Sequence, residues 1–155
     1  MVNVGDQLPD ATVTGETGPV KLRDKLGAAG SGKTLVIYFY PKDETPGCTK
    51  EACSFRDAYE DFTAAGAEVI GISRDDHASH SSFKQHHRLP FTLLSDADGR
   101  AESAFGIKKT LGFIPGRVTF VFDKSGVCRS RFESQIRVGK HVDDALALVK
   151  QLAAT

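Results

Sequence analysis

The sequence predicts an α/β fold built on a mixed central sheet. Two apolar, β-branched and aromatic runs, T-L-V-I-Y-F-Y (34–40) and A-E-V-I-G-I-S (67–73), read as strands buried on both faces. Between them, Phe55, Tyr59 and Phe62 recur at spacings of four and three, the period of a helix. Late in the chain, R-V-T-F-V-F-D (117–123) and V-C-R-S-R-F-E (127–133), joined through K-S-G, read as an antiparallel hairpin. Strands that alternate with helices early and pair as a hairpin late require a sheet with both parallel and antiparallel neighbours.

The elements follow in order. Residues 1–20 mix Gly, Pro and Thr with isolated Val and read as short strands or turns, with a brief helix over 21–26. Pro41 ends the strand at 34–40, and a helix is predicted over 46–63, closed by Gly66. After the strand at 67–73, residues 77–87 read as a helix that Pro90 stops. A short strand at 91–94 and a helix at 98–105 precede the hairpin, and an amphipathic helix at 140–152 ends the chain. With 155 residues and no repeat, low-complexity tract or linker, the reading is one domain, of a size that suits a thioredoxin-like core.

Composition narrows the function. The formal net charge is zero, so no basic excess points to nucleic acid and no charged tail to a partner. Three cysteines are too few, and an odd number, for a secreted disulfide framework, which favours a reducing compartment or a redox-active thiol. The chain start has no basic segment followed by an apolar one, and the longest apolar run, 35–40, is far too short to cross a bilayer. No membrane insertion is expected.

One string invites a different reading. G-A-A-G-S-G-K-T (27–34) matches the phosphate-loop pattern, in which backbone N–H groups and a lysine, here Lys33, hold a nucleotide's phosphates. That chemistry needs a strand entering the loop and a helix leaving it, so that the helix N-terminus faces the phosphates. The predicted order is reversed: a helix enters and the strand beginning at Thr34 leaves. A Gly/Ser turn before a core strand is the preferred reading.

The chemistry concentrates in D-E-T-P-G-C-T-K-E-A-C (43–53). Thr45 suits an N-cap, and Pro46 suits the first helical position, where its missing N–H is not needed. Cys48 then lies in the first turn, near unpaired backbone N–H groups and the positive end of the helix dipole, an environment that favours thiolate. Cys53 lies five residues on. In an ideal helix their Cα atoms stand roughly 8.7 Å apart, beyond the roughly 7 Å that a disulfide spans. The two can bond only if the first turns unwind, which implies a cycle between a folded reduced site and a locally opened oxidised one.

The segment Y-F-Y-P-K-D-E-T-P-G-C-T-K-E-A-C-S-F-R-D (38–57) resembles the reactive-cysteine site of the peroxiredoxins, in their Q-type or bacterioferritin-comigratory branch. Pro41, Thr45 and Cys48 fill the P-x-x-x-T-x-x-C pattern, and Cys53 fills that branch's second cysteine. The blocks G-A-E-V-I-G-I-S, L-P-F-T-L-L-S-D, P-G-R-V-T-F-V-F-D-K-S-G-V and K-H-V-D-D-A-L extend the similarity over nearly the whole chain. The resemblance implies a thioredoxin-like fold and a thiol peroxidase acting on hydrogen peroxide and organic hydroperoxides. Cys48 would attack the peroxide, Pro41 would shield the thiolate, Thr45 would orient the peroxide, and Arg117 would stabilise thiolate and transition state. Glu51 would orient Arg117, against the alternative of an exposed helix acid.

The same resemblance implies that Cys53 resolves the Cys48 sulfenic acid to an intramolecular disulfide, which thioredoxin or a similar dithiol reduces. It implies no cofactor and no metal, a monomer, and a bacterial cytosol or, after removal of a transit peptide, a plastid. Two features depart from the branch. The link before residue 34 is longer than usual, so G-A-A-G-S reads as a local insertion that produces the phosphate-loop string by accident. Cys128 lies outside the expected pair and reads as a packed strand residue, with a resolving or intermolecular role as the alternative.

His77, His80, His86 and His87 fall on one predicted helix and read as solvated, with no neighbouring carboxylate or cysteine set to complete a metal site. The competing functions are a thiol–disulfide oxidoreductase, weakened by the missing C-x-x-C, and a nucleotide-binding or redox-sensing module.

Overall fold

The computed structural model describes residues 1–26 and 32–154. Among these residues seven strands form one mixed sheet: β1 (Thr12–Gly15), β2 (Gly18–Lys21), β3 (Thr34–Phe39), β4 (Ala67–Ser73), β5 (Thr92–Ser95), β6 (Val118–Phe122) and β7 (Cys128–Glu133), in the order β2-β1-β5-β4-β3-β6-β7. The inner neighbours β3–β4 and β4–β5 are parallel, while β6 pairs antiparallel with β3 and β7 antiparallel with β6. The helices are α1 (Pro46–Asp57), α2 (Tyr59–Ala64), α3 (His77–His87), α4 (Arg100–Phe105) and α5 (Val138–Ala153).

Burial explains the central strands. Every residue of β3 and β6 is buried, as continuous apolar runs require when both sheet faces are covered. Alternation divides the core in two. Leu35, Ile37 and Phe39 point to one cluster, with Phe105, Phe120, Phe122 and Cys128. Val36, Tyr38 and Tyr40 point to the other, with Cys48, Phe55, Phe62 and Val142. Gly71 pairs with Tyr38 across the parallel ladder, and a Cβ there would meet the tyrosine ring at 2.9 Å, so the position must be bare.

The helix predicted over 46–63 is two helices. Ala58 leaves the helical region at φ −96°, ψ 3°, and α2 restarts at Tyr59, so Phe55 and Phe62 reach the same core from different segments. The brief helix expected over 21–26 is a 3-10 turn, Leu22–Leu26. It enters the phosphate-loop string and β3 leaves it, the order the sequence predicts, although positions 27–31 of that string lie outside the described residues. Among the described residues, no helix is long and apolar enough to cross a membrane.

The register between β3 and β6 builds the site. Phe39 pairs with Val118, so Arg117, one residue before β6, emerges beside Tyr40 at the end of β3. That end leads through Pro41 into the loop before α1. Two segments about 70 residues apart in sequence therefore meet at the N-terminus of one helix.

Candidate active site

Thr45 stands at the N-cap position with extended backbone, followed by Pro46. Its side chain does not cap the helix, however; the hydroxyl donates to the Lys42 carbonyl at 2.7 Å and ties the loop to itself. The first α-helical bond runs from Thr49 N–H to Thr45 O, so the N–H groups of Gly47 and Cys48 stand ahead of the ladder. Cys48, 1% exposed, lies in that first turn, at the positive end of the helix dipole.

Arg117 completes the environment. It donates through Nη2 to Cys48 Sγ at 3.3 Å and through Nη1 to Glu51 Oε1 at 2.8 Å. One guanidinium thus holds a sulfur and a carboxylate at once, the planar two-pronged geometry that a lysine cannot offer. Gly47 makes room for it, since a Cβ there would stand 3.1 Å from Nη2. The glycine of P-G-C is a clearance for the arginine.

Glu51 is fully buried and not the exposed helix acid that the sequence left open. Burial pushes its carboxyl up to about 7, and Arg117 pulls the other way. Burial likewise opposes charge on Arg117, but Glu51 and Cys48 together raise its pKa above the ordinary value. The second oxygen, Oε2, has no hydrogen-bond partner among the described residues; His141 Nδ1 of α5 lies 3.6 Å away.

Sequence reasoning missed His141. It is fully buried, and Nε2 faces the Ser134 carbonyl at 2.8 Å, so that nitrogen carries the proton. Burial lowers the pKa of the ring. In the neutral ring Nδ1 is an acceptor, here for the Thr119 hydroxyl at 2.7 Å. The available signal was a histidine amid the apolar positions of an amphipathic helix.

The remaining predicted residues are placed differently. Pro41 is half-buried where β3 ends. Cys53 shares α1 with Cys48 but lines an open pocket with Glu44, Pro46, Thr49, His86 and His87. Cys48, Cys53 and Cys128 are all free thiols. Cys128 is fully buried in the core cluster on the other face of the sheet from Cys48, where burial raises its pKa.

On α3, His77 and His86 are exposed as expected and His87 is half-buried, but His80 corrects the expectation of a solvated face. His80 is 3% exposed, with Nδ1 at 2.8 Å from Asp43 Oδ2 and Nε2 at 3.1 Å from the Leu94 carbonyl. Tyr40 and Ser79 also donate to Asp43, so its carboxylate is held below the ordinary range despite burial, chiefly by the His80 hydrogen bond. The partner carboxylates, Asp43 and Glu44, arrive from the loop between β3 and α1, more than 30 residues before these histidines. A local reading of the helix had no access to them.

Comparison with known proteins places the arrangement. Residues 4–131 match the AhpC/TSA family. The chain is 47% identical over 152 residues to a chloroplastic peroxiredoxin Q of Populus jackii, covering 97% of this chain and 70% of that protein. The match to the chloroplastic peroxiredoxin Q of Suaeda salsa, 52% identical over 122 residues, covers 78% of this chain and 57% of that protein. Among solved structures, peroxidoxin BcpB of Mycobacterium tuberculosis superposes with a TM-score of 0.86 at 36% identity, covering 97% of this chain and 98% of that one. A bacterioferritin comigratory protein of Xanthomonas campestris, whose structures concern alkyl peroxide reduction, superposes with a TM-score of 0.83 at 32% identity, covering 99% and 98%. With its thioredoxin-like fold and the cysteine–arginine pair at the head of α1, the chain belongs to the AhpC/TSA family of peroxidases, in the peroxiredoxin Q branch.

Proposed function

We propose that Cys48 is the peroxidatic nucleophile of a thiol peroxidase acting on hydrogen peroxide and organic hydroperoxides. The observation that carries this reading is the Arg117 hydrogen bond to Cys48 Sγ at 3.3 Å, made by an arginine that Glu51 anchors from the other side. The alkyl peroxide reduction attributed to the related Xanthomonas campestris protein accords with it.

The Cys48 thiolate attacks the terminal oxygen of the hydroperoxide. The S–O bond forms as the O–O bond breaks, the alkoxide leaves as alcohol after taking a proton, and the sulfur becomes a sulfenic acid. Arg117 stabilises the thiolate before attack and the negative charge that develops on the peroxide oxygens during it. Thr45 and Pro41 orient the peroxide and shield the sulfur. The Cys53 thiol then attacks the sulfenic sulfur, water leaves, and an S–S bond forms. Thioredoxin or a similar dithiol supplies the two electrons that restore both thiols.

Because both cysteines lie on α1, the resolving step requires its first turns to open. The test is hydroperoxide-dependent consumption of a dithiol reductant. Cys48→Ser should abolish turnover, and full turnover in that variant refutes the reading. Mass mapping of the oxidised protein should find Cys48 joined to Cys53; a Cys48–Cys128 linkage overturns the resolving assignment.

A further inference from the structure

Beside the reactive helix is a cluster that the peroxidase chemistry does not use. Glu44 Oε2 lies 2.8 Å from His86 Nδ1, and Glu44 Oε1 lies 2.6 Å from His87 Nε2. One ligand atom from each of the three residues falls within 4.8 Å of the others. The separation suits a first-row divalent ion. Two ligands on a tetrahedral zinc at about 2.05 Å stand about 3.3 Å apart, so small side-chain rotations would close the set.

The backbone holds these donors in place. Glu44 adopts a left-handed conformation, φ 64°, which L-residues avoid. Arg88, which ends α3 directly after the two histidines, does the same at φ 54°. These are two of the three non-glycine residues with positive φ among those described. Neighbouring residues on a helix normally point about 100° apart. Here the imidazoles of His86 and His87 lie with centroids 4.1 Å apart and converge on one carboxylate.

The other histidine–carboxylate group, Asp43, Asp75 and His80, offers no such opportunity. Its ligand atoms are committed to Tyr40, Ser73, Ser79, the Asp43 N–H and the Leu94 carbonyl. By contrast, Glu44 and His86 are 46% and 65% exposed, and His87 is 19% exposed. All three line an open pocket of about 480 Å³ that Cys53 shares.

We propose that Glu44, His86 and His87 form a site for a divalent transition metal of the zinc class, and that the bound metal restrains the opening of α1. Two imidazoles and a carboxylate are the mixed donor set that zinc and its neighbours accept, with a position left open. Glu44 belongs to the loop that leads into α1, and the histidines end α3. The metal therefore fastens that loop to a neighbouring helix and stands in the pocket that Cys53 faces. The restraint rests on the resolving step proposed above; metal binding itself does not.

The experiment titrates the reduced protein with Zn²⁺ against a chromophoric chelator. One equivalent should bind with micromolar or better affinity, His86→Ala and His87→Ala should each weaken it by about tenfold or more, and Cys48→Ser should leave it unchanged. No competition up to about 100 µM free zinc, a concentration at which any micromolar site fills, refutes the site. Equal affinity in the double variant His86→Ala/His87→Ala also refutes it. A second arm follows Cys48–Cys53 disulfide formation after one equivalent of hydroperoxide. Zinc should slow it severalfold in the wild type and not in the double variant, whose metal-free rate should match the wild type. Zinc bound through these histidines with an unchanged disulfide rate refutes the restraint. Metal-free protein that forms no such disulfide refutes the resolving step instead, and the titration still decides the site.

Discussion

Cys48 and Cys128 are equally hidden, 1% and 0% exposed, on opposite faces of one sheet. Their surroundings have nothing else in common. Cys48 begins a helix and receives a hydrogen bond from a guanidinium. Cys128 begins β7 in a cluster with Leu8, Phe105 and Phe122, and among the described residues its thiol reaches only the Ser130 carbonyl, at 3.4 Å. Burial alone makes a thiol inert, because it penalises the charged form. Burial beside a fixed cation and a helix N-terminus does the reverse, because the charge is met by partners that need no reorganisation. On the proposed assignment of Cys48 as the nucleophile, reactivity is decided by what shares the buried space.

The sharpest way to break this comparison is to remove the cation. Arg117→Ala should lower the rate of Cys48 with hydroperoxide by about a hundred- to a thousandfold, the usual cost of losing one preorganised donor to developing charge. Stopped-flow kinetics, with circular dichroism to establish the fold, reads it. An unchanged rate would mean that helix placement alone activates the sulfur.

A smaller effect tests the support behind the cation. The Glu51 carboxyl sits at about 7 in the folded protein, against an ordinary value of 4.5. Between those values the folded state holds a proton that the unfolded chain has released, so stability falls as pH rises. The contribution is complete below about pH 4.5 and is lost as pH passes through 7. Glu51→Gln keeps a carbonyl acceptor for Arg117 and cannot ionise. Relative to wild type it should gain up to about 3 kcal/mol across that window in urea unfolding. Parallel pH profiles for the two proteins would show that Glu51 does not titrate there.

The smallest effect on activity belongs to the other face. Cys128→Ala should leave the peroxide rate within about twofold and cost about 1 kcal/mol of stability, as expected for a small cavity in a packed core. Thermal melts and the same kinetic assay measure both. A large loss of activity would place Cys128 in the cycle and erase the contrast.

Much of this was legible before any fold was in hand. The strands at 34–40 and 67–73 announced themselves as continuous apolar runs, and the helix at 77–87 was bounded by its breakers. The break at Ala58 was not legible, because alanine favours helix and nothing in the local sequence marks a stop. Arg117 was located by resemblance, but the place where its guanidinium ends was not.

The sequence by itself determined the order of elements, the first-turn position of Cys48 and the spacing that keeps Cys53 from bonding it in an intact helix. Those are local properties, set by period, breakers and helix geometry. Tertiary structure decided the rest. The β3–β6 register carried Arg117 to Cys48, α5 brought His141 to Glu51, and the loop before α1 delivered Asp43 and Glu44 to histidines more than 30 residues away. Charge and hydrogen bonding act through space over a few ångströms, and only the folded chain determines which residues come that close.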